Sequence, residues 1–184
     1  MRSLPRVAPL VYYSLWVALS RYDMVLCREL ERQYRVTVEM VEHAKDIAVL
    51  SEVPVRELVE DLLVSHSYEE IAKLAGKIAF GEIVSWKQRL RREKPASAIQ
   101  EALKLLSQLV PTAGFQVEKV GGGRVFRCRN SPFAVSGCGR MTCGFISGFV
   151  TAAMGWQGQP RLRAEESLCA SVDSEVKYCL FELR

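Results

Sequence analysis

The chain has 184 residues, 49% hydrophobic and 25% charged, which is enough to bury a core of its own and excludes a disordered chain. Its net charge of +4 divides unevenly: Met1–Glu70 carries eight Lys and Arg against twelve Asp and Glu, the remainder seventeen against nine. A front part of net −4 and a back part of net +8 predict two units, a mainly helical module over residues 1–66 and a second domain over 67–184.

The first apolar run, Pro9–Leu19, is shorter than the roughly 20 residues a bilayer-spanning helix needs. No small-residue cleavage site follows it, and the pattern continues into an amphipathic helix over 9–33. The expectation is therefore a packing helix in a cytoplasmic protein, with no membrane partner, whose six cysteines are thiols or metal ligands rather than disulfides. Tyr34–Glu39 alternates with a period of two and reads as a short strand. Two helices follow, Val41–Ser51 and Val55–Val64, with Pro54 between them. A long helix opens near Ser67 and runs toward Arg91. Gly76 and Gly81 inside it either let another backbone or a ligand approach closely or are simply tolerated. The basic run Lys87–Lys94 suits a solvated helix end, and Ala96–Val110 is a further amphipathic helix. Phe115–Val120 and Arg124–Asn130 then alternate around a triple-glycine turn, with Phe126 and Cys128 on one face and Arg127 and Arg129 on the other. Met141–Trp156 is an apolar helix containing Gly144 and Gly148, and Arg161–Glu166 and Val176–Leu183 are strand-like. Four strands with long helices and no βαβ rhythm predict an α+β fold: an antiparallel sheet packed with helices, after a helical N-terminal extension.

Five of the six cysteines lie after residue 127. Cys143 sits early in the glycine-containing helix; Glu166, Cys169 and Cys179 follow in the segment ESLCASVDSEVKYCLFEL. Thiolates and a carboxylate suit a tetrahedral zinc ion, while buried cysteine also serves as a plain hydrophobe, and spacing leaves both readings open. The order NSPFA, CGRMTCGFISGF and EESLCASVDSEVKYCLFEL resembles the 4-vinyl-reductase domain, over roughly residues 70–184 and most specifically over 128–182. That family shares its broader fold with transport-particle subunits of eukaryotic membrane traffic and with the sensory domains of aromatic-responsive activators. The resemblance implies a structural zinc held by Cys143, Glu166, Cys169 and Cys179, with Cys138 a competitor for the place of Cys143. It also implies a homodimer that binds a hydrophobic small molecule, with Trp86, Phe133, Phe145, Phe149 and Trp156 as candidate lining. For any one of those rings, a place in a filled core is the competing reading.

No catalytic constellation stands out. The two histidines, His43 and His66, lie in the front part without a nucleophile motif. The glycine-rich GGGRVF segment is followed by a strand, not by a helix that could receive phosphate. Glu165 and Glu166 are adjacent on a strand and should face opposite ways. Enzyme activity is therefore not expected. Residues 34–64 resemble a ribbon-helix-helix unit, which would put Arg35, Thr37 and Glu39 against DNA. The −4 charge of this part disfavours phosphate contact, so a dimerisation or docking extension is the preferred expectation over a ligand-responsive DNA-binding regulator. A non-catalytic scaffold or assembly subunit is the remaining alternative.

Overall fold

The computed structural model describes residues 8–34, 55–86, 95–120, 123–173 and 175–184. Of the expected strand over 34–39, Tyr34 is helical and the rest, with Arg35, Thr37 and Glu39, lies outside those residues, as do the helix over 41–51 and the basic run over 87–94.

Within the first predicted helix the chain forms two, α1 (Pro9–Tyr22) and α2 (Met24–Tyr34). Asp23 makes the break: its Oδ1 accepts the Leu26 N–H at 3.1 Å, a cap for the first turn of α2, and its Oδ2 accepts the Ser65 hydroxyl at 2.8 Å. The apolar face of α1 is buried, with Val11, Leu15, Trp16 and Leu19 no more than 1% exposed. The Ala8 N–H donates to the Leu109 carbonyl, which ties the start of α1 to the end of a helix far along the chain. α3 (Val55–Leu62), α4 (Tyr68–Trp86) and α5 (Pro95–Leu109) follow, and α1 packs along α4.

The sheet comprises β1 (Gly114–Val120), β2 (Gly123–Arg129), β3 (Ala164–Leu168) and β4 (Tyr178–Leu183) in the order β1-β2-β4-β3, with every neighbouring pair antiparallel. The α+β architecture expected from the sequence is the one observed, helices first and an antiparallel sheet after them. The two-residue alternation of β2 and β4 sets the inner face. Phe126 opposes Phe181 and Cys128 opposes Cys179; the two phenyl rings stack at 4.6 Å. On the outer face Arg127 pairs with Glu118 at 3.1 Å and lies over the Tyr178 ring.

Helix α6 (Gly144–Trp156) joins sheet to helices, packing mainly against α4 and also against α5 and β3. Its approach to α4 is backbone to backbone. A Cβ on Gly148 would lie 1.9 Å from the Lys73 carbonyl oxygen, and one on Gly76 would lie 2.0 Å from that of Phe145. Any side chain at either place would force the helices apart. Gly76 therefore has the close-approach role its position suggested, whereas a Cβ on Gly81 would meet nothing within 4 Å. A single cluster of buried side chains runs from Val11 in α1 through α4, α5 and α6 to Phe181 in β4.

Candidate metal centre

Four residues distant in sequence converge where α6, β3 and β4 meet. Cys143 is the residue just before α6, Cys179 lies on the inner face of β4, Glu166 is on β3, and Cys169 follows that strand's end. In a regular strand, residues three apart point to opposite faces, which would separate Glu166 from Cys169. The β3–β4 register resolves this: Glu166 opposes Phe181 while Leu168 opposes Leu180, so two steps on β3 match one on β4. The bulge absorbs one residue and allows both side chains to serve one point. The ten-residue stretch to Cys179 is accommodated by a turned loop, in which Val172 and Asp173 donate to the Cys169 carbonyl. Buried Ser171 anchors that loop, its hydroxyl accepting the Val135 N–H at 2.9 Å and lying 2.6 Å from the Thr142 hydroxyl.

The resulting geometry is that of a ligand set. One donor atom from each of Cys143, Glu166, Cys169 and Cys179 lies within 4.8 Å of all the others. The sulfurs are 3.4 Å (Cys143–Cys179), 3.6 Å (Cys169–Cys179) and 4.0 Å (Cys143–Cys169) apart. Sulfurs bound at ~2.3 Å to a tetrahedral ion would be separated by about 3.8 Å, whereas a disulfide needs about 2.05 Å. All six cysteines are free thiols. Cys138, the competitor for the place of Cys143, lies outside the cluster, with its sulfur 3.4 Å from the Arg140 carbonyl.

Glu166 supplies the test of fit. Its Oε2 accepts the Cys143 N–H at 3.1 Å, which aims the carboxylate at the cluster, while buried Oε1 has no hydrogen-bond partner. A buried carboxylate oxygen without a donor is costly, and a cation at the shared point removes that cost. The surroundings also support the ligands: the Ser131 hydroxyl lies 3.1 Å from the Cys143 sulfur, and the Thr142 hydroxyl 3.9 Å from that of Cys169. The donor set, three buried thiols and one half-buried carboxylate, could hold a metal ion.

The protonation pattern shows why such a cluster wants a cation. Burial first, and then the Cys169 charge, push the Glu166 carboxyl up to about 9. Hydrogen bonds from Cys143 and then Cys179 pull the Cys169 thiol down. Burial raises Cys143. For Cys179, bonding to Cys143 acts downward, but the hydrogen bond with Cys169 and burial outweigh it. Burial and mutual repulsion oppose ionising all four acids together, and a divalent ion at the shared point would offset that repulsion.

Beside the cluster, between α4 and α6, opens a groove of about 500 Å³. Tyr68, Lys73, Arg140, Gly144, Ser147 and Glu166 contribute to its wall, and so do His66 and Glu165. Tyr68 donates its hydroxyl to the Thr142 carbonyl at 2.6 Å. Glu165 and Glu166 both line the groove although they are neighbours on a strand, and that strand, β3, is an edge of the sheet.

Of the aromatic residues expected to line a ligand site, three lie in the core. Phe133, Phe145 and Phe149 are at most 1% exposed; Phe133 stacks on Phe145 at 4.8 Å, and Phe149 meets Phe80 edge-on at 5.3 Å. Trp156 is exposed at the end of α6, and the Trp86 side chain lies outside the described residues. Phe133, Phe145, Phe149 and Trp156 do not border the groove. The groove itself was not anticipated. Its sequence signal was Ser147 between Gly144 and Gly148 in a largely apolar helix.

Fold and site together define an α+β domain with a thiol–carboxylate cluster and a groove beside it. No family model matches the chain, and no curated protein matches it. Among solved structures it is similar to an H-NOX protein from S. oneidensis in the Fe(II)NO ligation state, with a TM-score of 0.55 and 13% identity over 96% of this chain and 97% of that one. At that identity the likeness is one of fold. Among the described residues no helix is long and apolar enough to cross a membrane.

Proposed function

We propose that this chain is a zinc-stabilised small-molecule-binding module of the 4-vinyl-reductase type, acting as a non-catalytic sensor. The observation that carries the reading is the convergence of Cys143, Glu166, Cys169 and Cys179 on one point, with Glu166 Oε1 buried and unpartnered. Four protein ligands leave no open position for a substrate water, so the metal clamps helix α6 to the sheet edge and does no chemistry. The groove beside the clamp supplies room for a small molecule. The shared fold with an H-NOX protein solved in a ligand-bound state is consistent with that role. An apolar ligand held by aromatic rings draws no support from the described residues, since Phe133, Phe145 and Phe149 fill the core.

Metal analysis of the purified chain tests the reading. About one zinc per chain is expected, falling to near zero in Cys143→Ser and Cys169→Ser while Cys138→Ser keeps its metal. A folded wild-type chain without bound metal would overturn it.

A further inference from the structure

We propose that the groove between α4 and α6 is the path by which the metal ion enters and leaves the thiol–carboxylate cluster, with Glu166 as the ligand at its inner end and the Tyr68 ring as its gate. This rests on the reading of the cluster as a metal centre and adds the route that loads it. Exposure singles out one side of the cluster. Cys143, Cys169 and Cys179 are each 0% exposed, whereas Glu166 is half-buried and is the one cluster residue on the groove wall. On the other sides described residues close the cluster. Cys179 points inward from β4, opposite buried Cys128 and two residues from buried Phe181. The Ser131 hydroxyl lies 3.1 Å from the Cys143 sulfur, and Thr142 and Ser171, both buried, lie against Cys169. An ion arriving from water therefore meets Glu166 before it meets any sulfur.

Glu166 Oε1 is buried, so the path is shut at its inner end and a group there must move to open it. Tyr68 is that group. It opens α4, borders the groove, is 4% exposed, and donates its hydroxyl at 2.6 Å to the carbonyl of Thr142, the residue before Cys143. Burial, then the charges of Cys143 and Glu166, push that hydroxyl well above its ordinary value, as expected of a ring set beside the cluster. Gly144 is also on the wall and follows Cys143 directly, so groove and cluster share a stretch of backbone. Charge along the wall suits a cation. Glu69, Glu165 and Glu166 stand against Lys73 and Arg140, and Arg184, which pairs with Glu165, is shared with Glu182. No net positive barrier therefore faces a divalent ion on its way in.

A gate changes how fast an ion passes, not how tightly it is held, and the experiment reads that difference. Zinc release from the loaded full chain to a chromophoric chelator, and zinc uptake by the same chain after stripping, give the two rates. Tyr68→Phe keeps the ring and removes its hydroxyl bond; it should raise both rates about fivefold and leave the Kd unchanged. Glu165→Gln should slow uptake about twofold at low salt, a difference that fades as salt screens it. Glu29→Gln on α2, off the groove wall, should change neither rate. Urea well below the unfolding midpoint should leave release unchanged, because moving one ring exposes little surface. Release that speeds without uptake marks a loosened ligand shell, and release that climbs with urea marks opening of the fold; either would overturn the proposal, as would uptake in Glu165→Gln equal to that in Glu29→Gln. The two readings fail separately: a folded chain that takes up no zinc removes the metal centre and its route together, whereas a zinc-loaded chain with wild-type rates in folded Tyr68→Phe removes the route alone.

Discussion

Helix α6 borders two buried regions that differ in how complete they are. On its core side Phe145 and Phe149 are covered by Phe133 and Phe80, and every ring has a neighbour in stacking or edge contact. On its other side the thiol cluster has sulfurs 3.4–4.0 Å apart, a carboxylate oxygen without a donor, and Ser147 unsatisfied nearby. One region is finished by protein atoms alone. The other leaves buried polar atoms unpartnered and gathers donor atoms where an ion could bind, and the proposed function rests on that contrast.

Perturbing each region should therefore have a different character. Phe149→Ala, which empties a fully covered site, should lower unfolding free energy by about 3–5 kcal/mol whether or not metal is present, read by denaturant titration. Stripping the metal should cost about 4 kcal/mol when measured against free zinc held at about 1,000 times its Kd, and the loss should be restored by zinc. Equal sensitivity of the two variants to zinc would erase the distinction. Gly148→Ala should cost about 3 kcal/mol, because its Cβ would fall 1.9 Å from the Lys73 carbonyl. Gly81→Ala, in open space on the same α4 helix that Gly148 abuts, should instead raise stability by up to about 1 kcal/mol.

The smallest effect is one of pH. Burial pushes the Cys27 thiol up to about 11 and the Cys128 thiol up to about 12. Both folded-state values are raised above the ordinary thiol value of 9.0, so this contribution is fully present below pH 9 and lost as the pH rises toward 11 and 12. Thermal unfolding of the apo chain should thus fall in midpoint above pH 9, with Cys128→Ala removing part of the slope. The zinc-loaded chain should lose metal as acid protonates its ligands.

Much of this was legible in the sequence, for reasons that differ from place to place. The alternation of Phe126 and Cys128 against Arg127 and Arg129 fixed the faces of β2, because strand periodicity is strict. The apolar stripe of residues 9–33 indicated helix but not the break at Asp23, which depends on a side chain capping a backbone amide and bonding to Ser65, distant in sequence. Family resemblance selected Cys143, Glu166, Cys169 and Cys179; spacing did not, because their convergence requires a bulge that no composition signals. The aromatic residues were visible as a set, yet a filled core and a lined pocket use the same residue types.

The central claim is that three sulfurs and one carboxylate oxygen share a single ion. Zinc K-edge absorption of the purified chain measures that shell directly. The account predicts three sulfurs at about 2.3 Å and one oxygen at about 2.0 Å, with the oxygen contribution altered in Glu166→Gln. A shell of four sulfurs, or one of nitrogen and oxygen alone, would contradict it.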